Sequence, residues 1–211
     1  MMKTLVVGAA GKIGRVLCAR CAEEKLNVVA MARAPEQLIQ LGALGLQTVQ
    51  ADLLGELEHA FDGVEQVVFT AGSGGHTGPD MTLMVDLHGA VRCIDLVVAA
   101  EVKHFVMVSA ARVDRVLTGP PKLRPYFAAK AAADRILRES GLHYTILRPG
   151  RLTDQEPTGR IRRNLEVAPE ELVITRADVA ECVLAVLDDP VRESRTIDLL
   201  NGDEPISSLR S

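Results

Sequence analysis

Tyr126 and Lys130 stand four residues apart in Tyr-Phe-Ala-Ala-Lys, a spacing that puts both on one face of a helix. An ammonium beside a phenol favours the phenolate, which eases both loss and return of the phenol proton. Upstream, Ser109 closes the apolar run Val106-Met107-Val108 and offers a hydroxyl to a reacting oxygen. Further upstream still, Gly8, Gly11 and Gly14 interrupt the chain just after its first apolar run. Each feature has a plain structural reading when taken alone: a turn, a cap, the start of an amphipathic helix. In this order they suggest a nucleotide-binding fold with its own proton donor, suited to reducing a carbonyl or a conjugated system.

The elements that must position these groups alternate along the whole chain. Apolar, β-rich runs fall at 4–7, 27–31, 46–49, 66–69, 104–108 and 144–147, with helix-like stretches at 12–25, 81–100 and 126–140. Near-continuous apolar strands separated by helices imply a parallel sheet covered on both faces. Right-handed crossovers make it a doubly wound α/β sheet of the Rossmann kind. Gly141 follows the Tyr126 helix where a left-handed C-cap belongs. Beyond Pro149 the sequence predicts an irregular stretch at 151–159 and short strands at 161–167 and 172–174. A helix at 178–187 and a last strand at 196–200 follow. The expectation is one domain, 1–211, with small substrate-side elements within 150–175 and 195–211.

The segment Gly8-Ala9-Ala10-Gly11-Lys12-Ile13-Gly14 follows a strand and opens a helix. Glycines there allow close backbone approach, and the helix N-terminus favours a pyrophosphate. Its turn holds one residue more than the usual G-x-G-x-x-G fingerprint. An NAD site would place an acid about 20 residues further on, to hold the ribose hydroxyls. Here the second strand ends in Met31-Ala32-Arg33, and the planar fork of Arg33 suits a 2′-phosphate. NADP(H) is therefore expected in preference to NAD(H). Arg15 either assists or is simply exposed. Asp52, before Leu53, either accepts from the adenine amino group or caps the turn that follows. The glycine-rich stretch after Thr70, Ala71-Gly72-Ser73-Gly74-Gly75, is expected beside the cofactor's ribose and phosphates. His76, Arg112 and Arg151 are candidate substrate contacts, with surface exposure as the alternative for His76 and Arg151. The segment 112–125 is the candidate lid.

Composition excludes several classes. With 211 residues the chain holds one substantial core, and 47% hydrophobic with 25% charged residues is the balance of a globular protein. A net charge of −4 without a basic run argues against nucleic-acid partners. No apolar run approaches the ~18 residues that cross a bilayer, and Lys12 and Arg15 follow too soon for residues 1–10 to read as a leader. Four scattered cysteines make no disulfide framework; Cys18 and Cys21 are expected to pack inside a helix, with no metal site, in a reducing cytoplasm. The alanines 128, 129 and 131–133 suit close helix packing, within a monomer or across a homodimer.

Taken in order, these residues resemble the short-chain dehydrogenase/reductase superfamily, most closely its atypical single-domain branch of NmrA-like and flavin-reductase-like proteins. Gly8, Gly11 and Gly14 match the dinucleotide loop, and Asp52-Leu53 the adenine-side motif. Phe69-Thr70-Ala71-Gly72 matches the fourth-strand motif, and Val106-Met107-Val108-Ser109 the strand delivering the active-site serine. Tyr126 and Lys130 match the catalytic pair and Leu147-Arg148-Pro149-Gly150 the segment after the sixth strand. The glycine-rich stretch 71–78 and the segment 200–206 resemble a narrower bacterial group labelled epimerase/dehydratase or oxidoreductase. The resemblance implies hydride transfer with a small-molecule substrate, in which Ser109 hydrogen-bonds the substrate oxygen, Tyr126 exchanges its proton and Lys130 binds the nicotinamide ribose. It departs at Asp86, where many catalysts carry an Asn that supports a proton relay. Two other readings stay open: a non-catalytic redox sensor that reports NADP(H) occupancy to a protein partner, and a cofactor-assisted epimerase or dehydratase.

Overall fold

The computed structural model describes residues 2–188 and 193–210; Met1 and Ser211, at the ends of the leader-like and C-terminal stretches considered above, lie outside it. Strand β1 (Thr4–Val7) is buried along its whole length between β2 (Val28–Ala32) and β4 (Gln66–Phe69), both parallel to it. Outward from β2 runs β3 (Gln47–Gln50), and outward from β4 run β5 (His104–Val108), β6 (Tyr144–Pro149) and β10 (Arg195–Asn201). All these neighbours are parallel. The short strands β8 (Arg160–Arg162) and β11 (Glu204–Pro205) close the far edge antiparallel. Chain order reverses between β1 and β4, so the crevice at their carboxyl ends is the topological switch point where such sheets bind ligands.

Strand periodicity sorts the core into two layers. Val6, Val68 and Val106 point to one face and pack with Leu17, Cys18 and Cys21 of α1 (Lys12–Glu23) and Val179 and Val183 of α6 (Arg176–Leu187). Leu5, Val7, Phe69, Phe105 and Met107 point to the other, against Ile94 and Val97 of α4 (Ala90–Ala99) and Ala133 and Leu137 of α5 (Arg124–Glu139). Helix α2 (Pro35–Gly42) leads to β3 at the free edge. Burial pushes the Cys18 and Cys21 thiols up to about 12, so both pack as small apolar groups, as expected. The alanine run divides: Ala129 and Ala133 are buried within this chain, while Ala131 and Ala132 line a shallow groove on its outer side. Gly141 has φ +80°, the left-handed C-cap that its place after the helix implies.

The structure corrects the sequence reading in three places. The helix expected over 81–100 starts as α3 (Pro79–Met81), becomes a π-helical segment (Thr82–Gly89) and only then continues as α4. Nothing in local propensity marks that change, because an inserted residue in a helix is stabilised by what it packs against. The stretch expected to be irregular opens with β7 (Arg151–Thr153), which pairs in parallel with β9 (Val173–Thr175) in a separate small sheet. The strand expected over 161–167 ends at Arg162, and only its start meets β10.

A buried charge cluster lies between α5 and the sheet. Arg148 Nε donates to Asp134 Oδ2 at 2.9 Å, with the Asp134 side chain fully buried. Asp198 is the strand neighbour of Arg148 across β10, and burial holds its carboxyl above the usual range, against the pull of Arg148. Removing the arginine would leave a carboxylate with no counter-ion. Arg148→Met is therefore expected to cost about 3–5 kcal/mol of folding stability, read from urea unfolding; a loss under about 1 kcal/mol would show the pair to be worth no more than a surface one.

Candidate active site

The glycine loop is shaped by contacts that no larger residue could make. Gly8 has φ +87°, and a Cβ there would lie 2.6 Å from the Ala71 amide nitrogen. A Cβ on Gly14 would run into the Gly8 carbonyl oxygen and stand 2.8 Å from Ala9 Cα. The loop thus seats the first turn of α1 directly on the ends of β1 and β4. Thr70 fastens the same junction, its Oγ1 donating to the Val7 carbonyl at 3.1 Å. Gly11 caps α1 without a side chain, and the first turn holds no acid, so its amides are left for an anion. The Gly11 amide is spent on the Gly8 carbonyl at 2.9 Å, so the residues present fit a dinucleotide pyrophosphate that the amides of Lys12, Ile13 and Gly14 would hold.

Around this cradle the other cofactor candidates are spread along the same edge of the sheet. Lys12 is exposed and reaches Asp154 at 3.5 Å; Asp154 is also paired with Arg176. Arg15 donates from Nε to the Ala10 carbonyl at 2.9 Å, so it braces the loop. Arg33, just past β2, is exposed and makes no ion pair among the described residues. Asp52 Oδ1 accepts from the Leu54 amide at 3.0 Å, a turn-capping bond that leaves its other oxygen uncommitted, while Leu53 is buried. Pro149, at the end of β6, is buried and accepts from the Ala111 amide at 2.8 Å.

The three groups expected to do proton chemistry meet at the end of β5. Ser109 is 3% exposed, and its Oγ has no hydrogen-bond partner. Lys130, also 3% exposed, donates to the carbonyl of the preceding residue, Val108, at 3.3 Å. Its ammonium lies 5.9 Å from the Phe69 ring centre and 6.0 Å from that of Tyr126. The helical spacing holds and extends one step further, since Asp134 follows Lys130 by another four residues and is buried with it. The electrostatics differ from expectation. Lys130 does pull the Tyr126 phenol toward ionisation, but burial outweighs it, and Asp86 and Asp134 add to burial, so the phenol titrates above its ordinary value.

Asp86 is the participant that spacing alone does not place. It sits in the π-helical segment with its side chain 1% exposed, 3.4 Å from the Lys130 ammonium. Its second oxygen accepts from the Ser73 amide at 3.0 Å, and a Cβ on Gly72 would approach its first oxygen to 3.0 Å. Three candidates do not join this group. His76 is exposed, its ring over Gly74. Arg112, in left-handed backbone at φ 61°, turns away to the Leu165 carbonyl at 3.1 Å. Arg151 is exposed on β7. The described residues hold no cluster of potential metal ligands and no helix long and apolar enough to cross a membrane.

This sheet order, with a glycine-lined switch point and a Ser–Tyr–Lys group beside it whose serine and lysine are buried, defines a Rossmann-type dinucleotide-binding protein. The profile of the NAD(P)H-binding family matches residues 8–190, and the chain belongs to that family. It is 41% identical over 210 residues to an uncharacterized sugar epimerase, YhfK, of Bacillus subtilis, covering 98% of this chain and 97% of that one. A Bacillus halodurans structure, provisionally named an NAD-dependent epimerase/dehydratase, superposes with a TM-score of 0.93 at 38% identity over 100% of this chain and 99% of its own. The oxidoreductase YlbE of Lactococcus lactis superposes with a TM-score of 0.86 at 30% identity, covering 99% and 95%. The resemblance to the atypical short-chain dehydrogenase/reductase branch is thereby upheld, as part of a family whose members are named both oxidoreductases and epimerases.

Proposed function

We propose that the protein is an NADP(H)-dependent oxidoreductase acting on a small carbonyl, quinone or flavin-like substrate. The observation that carries this reading is the Ser109 hydroxyl: buried, unpartnered, and one residue from the carbonyl that anchors Lys130. A buried hydroxyl without a partner is costly, and a substrate oxygen would satisfy it. Ser109 then fixes that oxygen, and Tyr126 gives it a proton from the same side. Lys130 holds the catalytic face of α5 against β5. The nicotinamide, when bound, supplies or accepts the hydride. Leu83 and Met84 of the π-helical segment and Leu117 and Leu123 of the segment 112–125 are exposed, and both segments pack on α5. Both segments would offer apolar contact to a planar or weakly polar substrate.

The test is NADPH oxidation by the purified protein across quinones, flavins, aldehydes and ketones. Turnover on one of these classes is the expected result; tight NADPH binding with no turnover on any would overturn the reading. Cofactor choice is tested at Arg33, whose unpaired fork supports binding of a 2′-phosphate. Arg33→Glu is expected to weaken NADPH binding by about 10-fold or more, the loss of one charge-assisted contact, and to leave NADH binding unchanged. Equal losses for both cofactors would remove Arg33 from that role.

The names of two relatives favour a second reading, in which the hydride is lifted from a substrate and returned to it. The same Ser109 and Tyr126 would serve, and no net NADPH would be consumed. Product formation with the cofactor's absorbance unchanged at the end of the reaction would select it.

A further inference from the structure

Asp86 is the charge partner of Lys130. Its carboxylate is enclosed on three sides: the Lys130 ammonium at 3.4 Å, the Ser73 amide at 3.0 Å and the Gly72 backbone. Both members of the pair are nearly inaccessible, with side chains 4% and 1% exposed. Two opposite charges this close present a dipole to their surroundings, and the reach of the lysine's positive charge toward the phenol is cut accordingly. The pair also spans the site. Lys130 belongs to α5 and is tied to β5 through the Val108 carbonyl. Asp86 belongs to the π-helical segment and is tied to the glycine-rich turn after β4.

We propose that Asp86 is a positioning residue that holds Lys130 in a buried ion pair and thereby limits the pull of the lysine's charge on the Tyr126 phenol. The inference rests on the reading of Tyr126 as the proton-transfer group. In the reductive direction Tyr126 passes its hydroxyl proton to the substrate oxygen as carbon gains hydride from reduced nicotinamide, and water restores the phenol. In the opposite direction the phenolate takes that proton back, so a weaker pull from Lys130 makes the phenol a weaker donor and its phenolate a stronger base. The charged groups acting on the phenol are Lys130 and Asp134 from its own helix and Asp86 from the π-helical segment. Asp134 is itself paired with Arg148 of β6. The π-helical segment also carries His88, the segment 112–125 packed on the same helix carries Arg112, Asp114, Arg115, Lys122 and Arg124, and α4 carries Arg92 and Asp95. Among the described residues Asp86 is the only charged group in direct contact with the Lys130 ammonium.

The chain offers a direct readout, since it holds two tyrosines and no tryptophan. Phenolate absorbance can be titrated in the intact protein without substrate or cofactor, and Tyr126→Phe identifies which transition belongs to Tyr126. The decisive comparison is between the unaltered protein and Asp86→Asn, with circular dichroism confirming the fold. Removing the carboxylate is expected to make Tyr126 about 10-fold more acidic, a fall of about one pH unit in its midpoint. Equal midpoints would overturn the proposal. If Asp86→Asn does not fold, Asp86→Ser is compared with the unaltered protein instead, and equality there overturns it in the same way. Failure here leaves the oxidoreductase reading standing, whereas turnover undiminished in Tyr126→Phe would strike that reading and leave the titration result intact.

Discussion

Tyr126→Phe is expected to lower kcat by about 10²–10⁴-fold on the substrate that the NADPH panel identifies, with NADPH affinity unchanged. That range is what a positioned acid contributes to a proton-transfer step. The change deletes one oxygen and keeps the ring, which packs at 5.9 Å from Phe127 and lies beneath the Lys130 ammonium. Fold and cofactor cradle should therefore survive. The pH dependence follows from the same site. Burial, reinforced by Asp86 and Asp134, holds the phenol above its ordinary value against the pull of Lys130. Reduction, which needs the protonated phenol, is expected to persist through neutral pH and to fall only as the phenol ionises in the alkaline range. Oxidation should rise over that same range. A Tyr126→Phe enzyme with full turnover would assign the proton to another group.

Gly14→Ala is expected to abolish useful dinucleotide binding, a loss of more than about 10-fold in affinity, and to destabilise the fold by about 1–3 kcal/mol, the usual cost of overpacking. The reason is local. The added Cβ would enter the space of the Gly8 carbonyl and of Ala9 Cα at 2.8 Å. Both belong to backbone and cannot rotate aside. Relief requires α1 to lift from β1, which spoils the loop that a pyrophosphate needs. Gly42→Ala is the control, because a Cβ there meets nothing within 4 Å. Isothermal titration with NADPH on both variants checks the difference. Wild-type affinity in Gly14→Ala would show that the cradle binds the cofactor elsewhere or more loosely than its geometry suggests.

The parts of this site legible in the sequence are those set by one element at a time. Tyr126, Lys130 and the face they share follow from helical repeat, and the glycine loop follows from its place between a strand and a helix. The same repeat carried one step further would have pointed to Asp134. Asp86 is visible as a departure, but not as a charge partner, because its contact with Lys130 spans 44 positions and depends on a π-helical segment that local propensity does not announce. Strand β7, just after Pro149, escapes sequence reading for a related reason. Segments of three residues such as Arg151–Thr153 carry too little pattern, and their pairing with Val173–Thr175 is what makes them strands.

By itself the sequence determined a doubly wound sheet, a nucleotide loop at its first turn and a Ser–Tyr–Lys set in the order this architecture needs. Those are consequences of periodicity and of glycine's freedom, which act over a few residues. Only the tertiary structure decided the charge balance around the phenol. There, burial and a carboxylate from another helix outweigh the lysine one turn away, because electrostatic strength depends on what surrounds a group in space rather than on what adjoins it in the chain.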